Sequence, residues 1–409
     1  MFRMKRTLRI KRRSGLQWRP WGKKVFLDAT LSASGKLSCA SCHDPAHAYA
    51  PPNALAVQLG GAMMDKPGLR AVPSLRYTLN RTPVWNKEYQ SDPIERMTET
   101  DSVPNGGFDR DGRFKTLHEQ VSSPLYDRTE MANAGPSEVA AKVRQGSYAS
   151  EVGRLYGADA LADDVRLVAA ISDAVEKFEI DDPTFHPYSS KFDRYLDGKA
   201  SLTPQEAMGR RVFIDPAKGN CASCHTASTR ADGSHPLFSD FSFEALGVPR
   251  SRRLEANRDR RFFDLGLCGP LRTDMQAERR YCGWFKTQSL RNVATRAVLM
   301  HNGVFTDLES AVRFYSERET QPAKWYPRNN GQVARYDDLP KDLRHNVDVI
   351  DAPLDTKPGD ATALNDTKVK AIVAFLQTLT DDDAKTVTAA LPPIRGPRQA
   401  RSGTTSMPH

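Results

Sequence analysis

Apolar residues recur at helical spacing in three stretches of the chain. Between Asp164 and Asp181, Val168, Ile171, Val175 and Phe178 return at three- and four-residue steps, the pattern of a helix with one buried face. Thr203-Pro204-Gln205-Glu206 opens a second helix, with a capping hydroxyl, Pro in the first turn and an acid close behind. A third runs from about Asp366 to Leu379 and buries Val369, Ile372, Val373, Leu376 and Leu379. Strand-like runs are few and short, so the expected fold class is mainly α. Residues 318–365, rich in Pro, Gly and Asp, read as a long ordered loop. After Asp383 the chain turns to Pro, Arg, Ser and Gly, and 384–409 read as a disordered tail.

The pattern also repeats. Gly22-Lys23-Lys24-Val25-Phe26-Leu27-Asp28 returns as Gly209-Arg210-Arg211-Val212-Phe213-Ile214-Asp215. Ser74-Leu75-Arg76 returns as Ser289-Leu290-Arg291. Gly112, Phe114, Leu117 and Val121 match Gly303, Phe305, Leu308 and Val312 at identical spacing. Three echoes in one order predict an internal duplication. The expected domains are 20–187 and 188–383, with a basic disordered tail at 1–19.

Charge adds little. The formal net charge of the 409 residues is +9, but Arg3, Lys5, Arg6, Arg9, Lys11, Arg12, Arg13 and Arg19 carry eight of it. The body is near neutral, and nothing in it argues for nucleic acid binding. No run approaches the roughly 18 apolar residues of a membrane span.

The candidate chemistry lies in two identical motifs, Cys39-Ala40-Ser41-Cys42-His43 and Cys221-Ala222-Ser223-Cys224-His225. C-x-x-C-H is the attachment pattern of c-type haem. The two thiols take the two vinyl groups, and the following His is carried beneath the ring as proximal iron ligand. Zinc is the competing reading, but zinc pairs usually lie within tens of residues, and these lie about 180 apart. Two covalent haem c groups are expected, held by Cys39, Cys42, Cys221 and Cys224, with His43 and His225 on iron. The fold then reads as two cytochrome c-like haem domains, with 318–365 over the second haem. Covalent attachment places the expected compartment in the periplasm, although Met1–Arg13 is basic and no apolar signal core follows. In that compartment Cys268 and Cys282, 14 residues apart, are expected to form a disulfide; two free buried thiols are the alternative.

The duplication predicts a difference between the haems. Val312 is followed three residues later by Tyr315, whereas Val121 is followed by Pro124. Tyr can ligate haem iron through its oxygen, and Pro has no side-chain ligand. Haem 2 is expected to be six-coordinate through His225 and Tyr315, with Met300 as the alternative partner, and haem 1 to keep an open face beneath Pro124.

Several segments resemble the bacterial di-haem cytochrome c peroxidase and MauG family over about residues 20–380. They are Asp28-Ala29-Thr30-Leu31-Ser32, Asp111-Gly112-Arg113, Thr116-Leu117, Glu119-Gln120, Pro124-Leu125 and Glu130-Met131 in the first half. In the second half they are Phe285-Lys286-Thr287, Ser289-Leu290-Arg291-Asn292-Val293 and His301-Asn302-Gly303. The resemblance implies that Gln120 and Glu130 flank the open face of the first, peroxide-binding haem, Glu130 as proton shuttle and Gln120 as positioning hydrogen-bonder. It implies electron delivery through the second haem. A tyrosine at position 315 is similar to the MauG type, where the usual peroxidases carry Met. The departures also count. The loop Gly60–Leu69 holds no His, so activation by loss of a His ligand is not expected, and His47 reads as structural. The family's calcium ligands fall at Ala71, Arg296 and Val298, so the Asn side chain is missing and Arg296 is a candidate source of positive charge. The family's Trp between the haems falls at Arg110, while Trp85, Trp284 and Trp325 read as packing residues.

The expected function is an enzyme that reduces hydrogen peroxide. Its electrons come from a small cytochrome, a cupredoxin or an oxidised protein side chain. The alternative is a di-haem electron carrier without peroxide chemistry. A sensor would need a signalling domain, and none is visible. The family resemblance also allows a homodimer.

Overall fold

The Asp164–Asp181 helix spans the residues its periodicity predicts, capped by the Asp163 carboxylate on the Arg166 N–H. In this computed structural model, which describes residues 19–89 and 103–386, that helix is the floor of the first half. It lays Val168, Ile171, Val175 and Phe178 against the Arg19–Leu27 helix, where Phe26 and Phe178 meet edge to face at 5.5 Å. Arg19, expected in the basic tail, instead opens this helix; residues 1–18 and 387–409 lie outside the described residues.

The second half is built the same way. Thr203 caps the Pro204–Ile214 helix and Glu206 reciprocates on the Thr203 N–H. That helix packs on Asp366–Gln377, with Phe213 and Phe375 5.3 Å apart. The final helix stops two residues before its expected end, yet Leu379 remains fully buried. Complete burial of each such side chain is worth about 1.5–3 kcal/mol. Gly22 and Gly209, at corresponding places in the repeat, sit where the two pairs of helices touch.

Strands are confined to short antiparallel ladders. Among the described residues these pair Leu59–Gly60 with Lys66–Pro67, Asn86–Tyr89 with Val103–Asn105, Phe243–Glu244 with Phe285–Lys286, and Arg328–Asn329 with Gln332–Val333. The mainly helical fold class therefore holds.

Residues 318–365 are ordered by buried polar bonds. The Arg318 guanidinium pairs with Glu319 at 2.7 Å and donates to the Leu246 carbonyl at 2.8 Å. A second device joins the halves. Asp381, 2% exposed, accepts from Arg76 at 2.9 Å, Tyr77 at 2.5 Å and Asn292 at 2.6 Å. A buried ion pair of this kind is costly to break, because the survivor is left charged and unpaired.

Candidate haem sites

Cys39–Cys42 forms one helical turn, and the His43 N–H closes it on the Cys39 carbonyl at 2.9 Å. Ala48 and Tyr49 follow with φ of 55° and 54°, a left-handed pair that folds the Tyr49 carbonyl back over His43. The Nδ1–H of His43 donates to it at 3.1 Å. Cys221–Ser223 makes the corresponding turn, and the Nδ1–H of His225 donates to the Phe238 carbonyl at 3.0 Å, where Phe238 has φ of 55°. A carbonyl only accepts, so each imidazole carries its proton on Nδ1 and leaves the Nε2 lone pair for a metal. Burial pushes His43 down to about 4 and lowers His225, so both rings are neutral, as a metal ligand must be.

The Ser-Leu-Arg echo has a structural role here. Ser74 Oγ donates to the Ala48 carbonyl at 2.5 Å, and the Leu75 N–H donates to Tyr49 at 3.1 Å. Ser289 Oγ donates to Leu237 at 2.6 Å, and the Leu290 N–H donates to Phe238 at 3.3 Å. Each triplet thus fixes the carbonyl that orients a histidine.

Burial raises all four motif thiols, Cys42 and Cys221 to about 12. Among the described residues no group of three or more His, Cys, Asp or Glu is placed to hold a metal ion, so the two motifs do not merge into one zinc site. Two separate thiol pairs, each with an oriented imidazole, fit two covalently held haems.

Around the second motif, Cys221, Cys224, His225, Met300 and Tyr315 line one mostly apolar cavity, with Ala352, Pro353 and Leu354 of the 318–365 segment across it. Tyr315 projects from the Leu308–Glu317 helix, capped by Asp307 on the Ser310 N–H. Its hydroxyl has no hydrogen-bond partner among the described residues. Burial, then Cys224 and Cys221, raise its pKa. Met300 remains in the same cavity, so the alternative ligand is near at hand.

In the first half the corresponding helix is cut short. Thr116 and Glu119 cap Leu117–Ser122 reciprocally, and Pro124, with no N–H to give, turns the chain into the 3₁₀ segment Ser123–Leu125. Glu130 follows on a turn closed by its N–H on Asp127 at 3.0 Å, and its carbonyl accepts from Gly61 at 2.8 Å. A Cβ at Gly60 would lie 2.2 Å from the Thr129 carbonyl oxygen, so only glycine allows this loop to sit on the turn.

The Glu130 side chain is exposed, with protein crowding its carboxyl. It makes no hydrogen bond or ion pair among the described residues. Desolvation, then Asp127 and Asp109, push its carboxyl up to about 8, and its charge in turn acts on Cys42 and Cys39. Gln120 Nε2 donates to Asp109 at 3.2 Å, and Asp109 pairs with Arg113. Gln120 and Glu130 therefore border one acid–guanidinium group.

Between the motifs, the place where the family's calcium ligands would fall is basic. The Arg110 Nε donates to the Ala71 carbonyl at 2.7 Å, and Arg296 donates to the Val72 carbonyl. His47 pairs with Asp44 at 2.9 Å, as a structural histidine does. Trp85 packs on Phe243, Trp284 on Tyr281, and Trp325 on Phe305 and Phe314. Cys268 and Cys282 are joined, with Cα atoms 5.0 Å apart. The carbonyls of Tyr49 and Phe238 were not found by sequence reasoning, although the Ser-Leu-Arg echo marked the triplets that hold them.

A family profile described as di-haem cytochrome c peroxidase matches residues 18–201. The methylamine utilization protein MauG of Paracoccus denitrificans is 31% identical over 374 residues, covering 88% of this chain and 87% of that protein. The cytochrome c551 peroxidase of Nitrosomonas europaea is 28% identical over 295 residues, covering 71% and 70%. Among solved structures, the diheme peroxidase BthA of Burkholderia thailandensis superposes with a TM-score of 0.80 at 38% identity, covering 91% of this chain and 88% of that one. With its two oriented imidazoles and two thiol pairs, this chain belongs to the di-haem cytochrome c peroxidase and MauG family, as a peroxidase-like enzyme that carries two c-type haems.

Proposed function

We propose that the enzyme reduces hydrogen peroxide at the first haem site, with electrons delivered through the second. The observation that carries this reading is the Glu130 carboxyl, unpartnered among the described residues, close enough for its charge to act on Cys39 and Cys42, and held at about 8. Haem bound at the two motifs supplies iron that takes up and passes electrons. The rest of the work falls to side chains. Glu130 takes a proton from one oxygen of peroxide at its carboxylate and returns it to the departing oxygen. General acid–base transfer of this kind contributes about 10²–10⁴-fold. Gln120, tethered to Asp109, hydrogen-bonds peroxide and orients it. Pro124 offers no ligand and leaves that face free, whereas Tyr315 closes the corresponding face of the second site. The two sites belong to domains 20–187 and 188–383, cytochrome c-like and related by duplication. The matching helix pairs and Ser-Leu-Arg hooks support that relation.

The reductant is a small cytochrome, a cupredoxin or a side chain of another protein, and the working compartment is the periplasm. No described helix is long and apolar enough to cross a membrane. The test is to mix purified two-haem protein with peroxide, then with a reduced small cytochrome or cupredoxin. Peroxide-dependent oxidation of the donor is expected. No reaction of the oxidised protein with peroxide would favour the plain electron carrier.

A further inference from the structure

Among the described residues, three cations meet between the two haem sites with no carboxylate paired to them. The Arg110 side chain is held, among the described residues, by the Ala71 carbonyl, Arg296 by the Val72 carbonyl, and Lys286 donates to the Gly107 carbonyl at 2.5 Å. All three line the cavity that holds His225. Arg296 also reaches the first site, where its charge acts on His43. The neighbouring acids are taken. Arg70 grips Asp264 at 2.7 and 2.8 Å and Asp111 at 2.7 Å, while Arg113 pairs with Asp109 and Asp111. Burial, with Arg296 and Arg70 beside it, pushes Arg110 down to about 9; burial pushes Arg296 to about 10 and Lys286 to about 8, so the acids nearby, already paired to other guanidinium groups, do not offset the cost of burying these charges.

Buried charge is costly unless it is paired. Backbone carbonyls satisfy some of the N–H donors but bring no negative charge. Guanidinium groups present flat, fixed donor forks that match carboxylates. A haem carries two carboxylates at one edge of the ring, and Arg296 touches the surroundings of both motifs. We infer that Arg110, Arg296 and Lys286 form one fixed cationic bridge that binds the carboxylates of both haems at once. The ligand class is the haem carboxylate, and the bridge is built of side chains with no metal ion in it. It couples the two sites, because a charge shared by both raises the reduction potential of both.

This inference rests on two bound haems, which the mass of the mature chain checks separately. The test is a spectroelectrochemical titration of the full two-haem protein, comparing the parent with Arg296→Gln, Arg110→Gln and the exposed control Arg261→Gln. Both midpoint potentials are expected to fall together in Arg296→Gln and in Arg110→Gln, and to stay at the parent values in Arg261→Gln. A shift at one haem alone, or at neither, overturns the bridge. If Arg296→Gln matures without its full haem complement, Arg296→Lys decides. Two haems retained in Arg296→Lys with both potentials unchanged or moved together support the bridge, and a shift at one haem alone overturns it. Dialysis against EGTA is expected to leave both potentials in place. A fall that added calcium reverses would assign the anchor to a bound cation and refute the proposal.

Discussion

Gly209 stands so close to Ala371 that a Cβ on it would lie 1.9 Å from the Ala371 carbonyl oxygen. Gly22 stands in the same relation to Ala174, at 2.1 Å. Neither backbone oxygen can yield without moving a helix. Gly209→Ala is therefore expected to destabilise the protein by about 1–3 kcal/mol, the usual cost of overpacking. Gly22→Ala should behave alike. Urea unfolding followed by circular dichroism checks this; an unchanged midpoint would mean that the crossings are looser than drawn.

Glu130 gives the reaction with peroxide a pH dependence. A carboxyl pushed up to about 8 is largely protonated at neutral pH. If its carboxylate takes the proton from peroxide, the rate rises with pH through about 8 and levels off above. Glu130→Gln should remove that rise and slow the reaction about 10²–10⁴-fold with both haems still bound. Stopped-flow mixing across pH 6–9 reads both effects. A variant as fast as the parent removes Glu130 from the mechanism.

Tyr315→Phe should change the second haem alone. Loss of an anionic oxygen ligand favours the reduced form, so the potential of that haem is expected to rise and its ferric spectrum to change. Should the variant and the parent share one spectrum and one potential, Tyr315 is a packing residue and Met300 becomes the ligand to test.

Cys268 and Cys282 close a loop of about 15 residues, which the chain-entropy account values at about 3 kcal/mol. Alkylation of unreduced, denatured protein should leave both positions unlabelled, and the double Ser variant should unfold at lower urea. Labelling at both would show free thiols.

Periodicity revealed the long helices, because a helix with one buried face repeats its apolar residues locally. Val168 to Phe178 and Val369 to Leu376 are such runs. The motifs revealed the cysteines and histidines, because haem attachment dictates their spacing. The residues that aim those histidines were not legible. Tyr49 and Phe238 act through backbone carbonyls, which any residue type carries, and the left-handed φ that presents them is borne here by Ala, Tyr and Phe rather than Gly. The cations between the sites were half legible. Arg110 and Arg296 stood out as departures, but Lys286 sits in a stretch common to the family resemblance. Its meeting with them depends on a ladder between Phe243–Glu244 and Phe285–Lys286 that is two residues long.

The bond from Asp381 to Arg76 and Tyr77 spans some three hundred positions of the chain. Synthesis runs from the N-terminus, so Arg76 is made long before its carboxylates, Asp381 and Asp383, exist. Until they arrive, the first half holds a guanidinium destined for burial with nothing to neutralise it. Both carboxylates lie just past the last helix, so this contact between the halves forms only once nearly the whole chain has been made. In a chain cut before Asp381 the face that carries Arg76 stays open to water, and the seam between the halves cannot close.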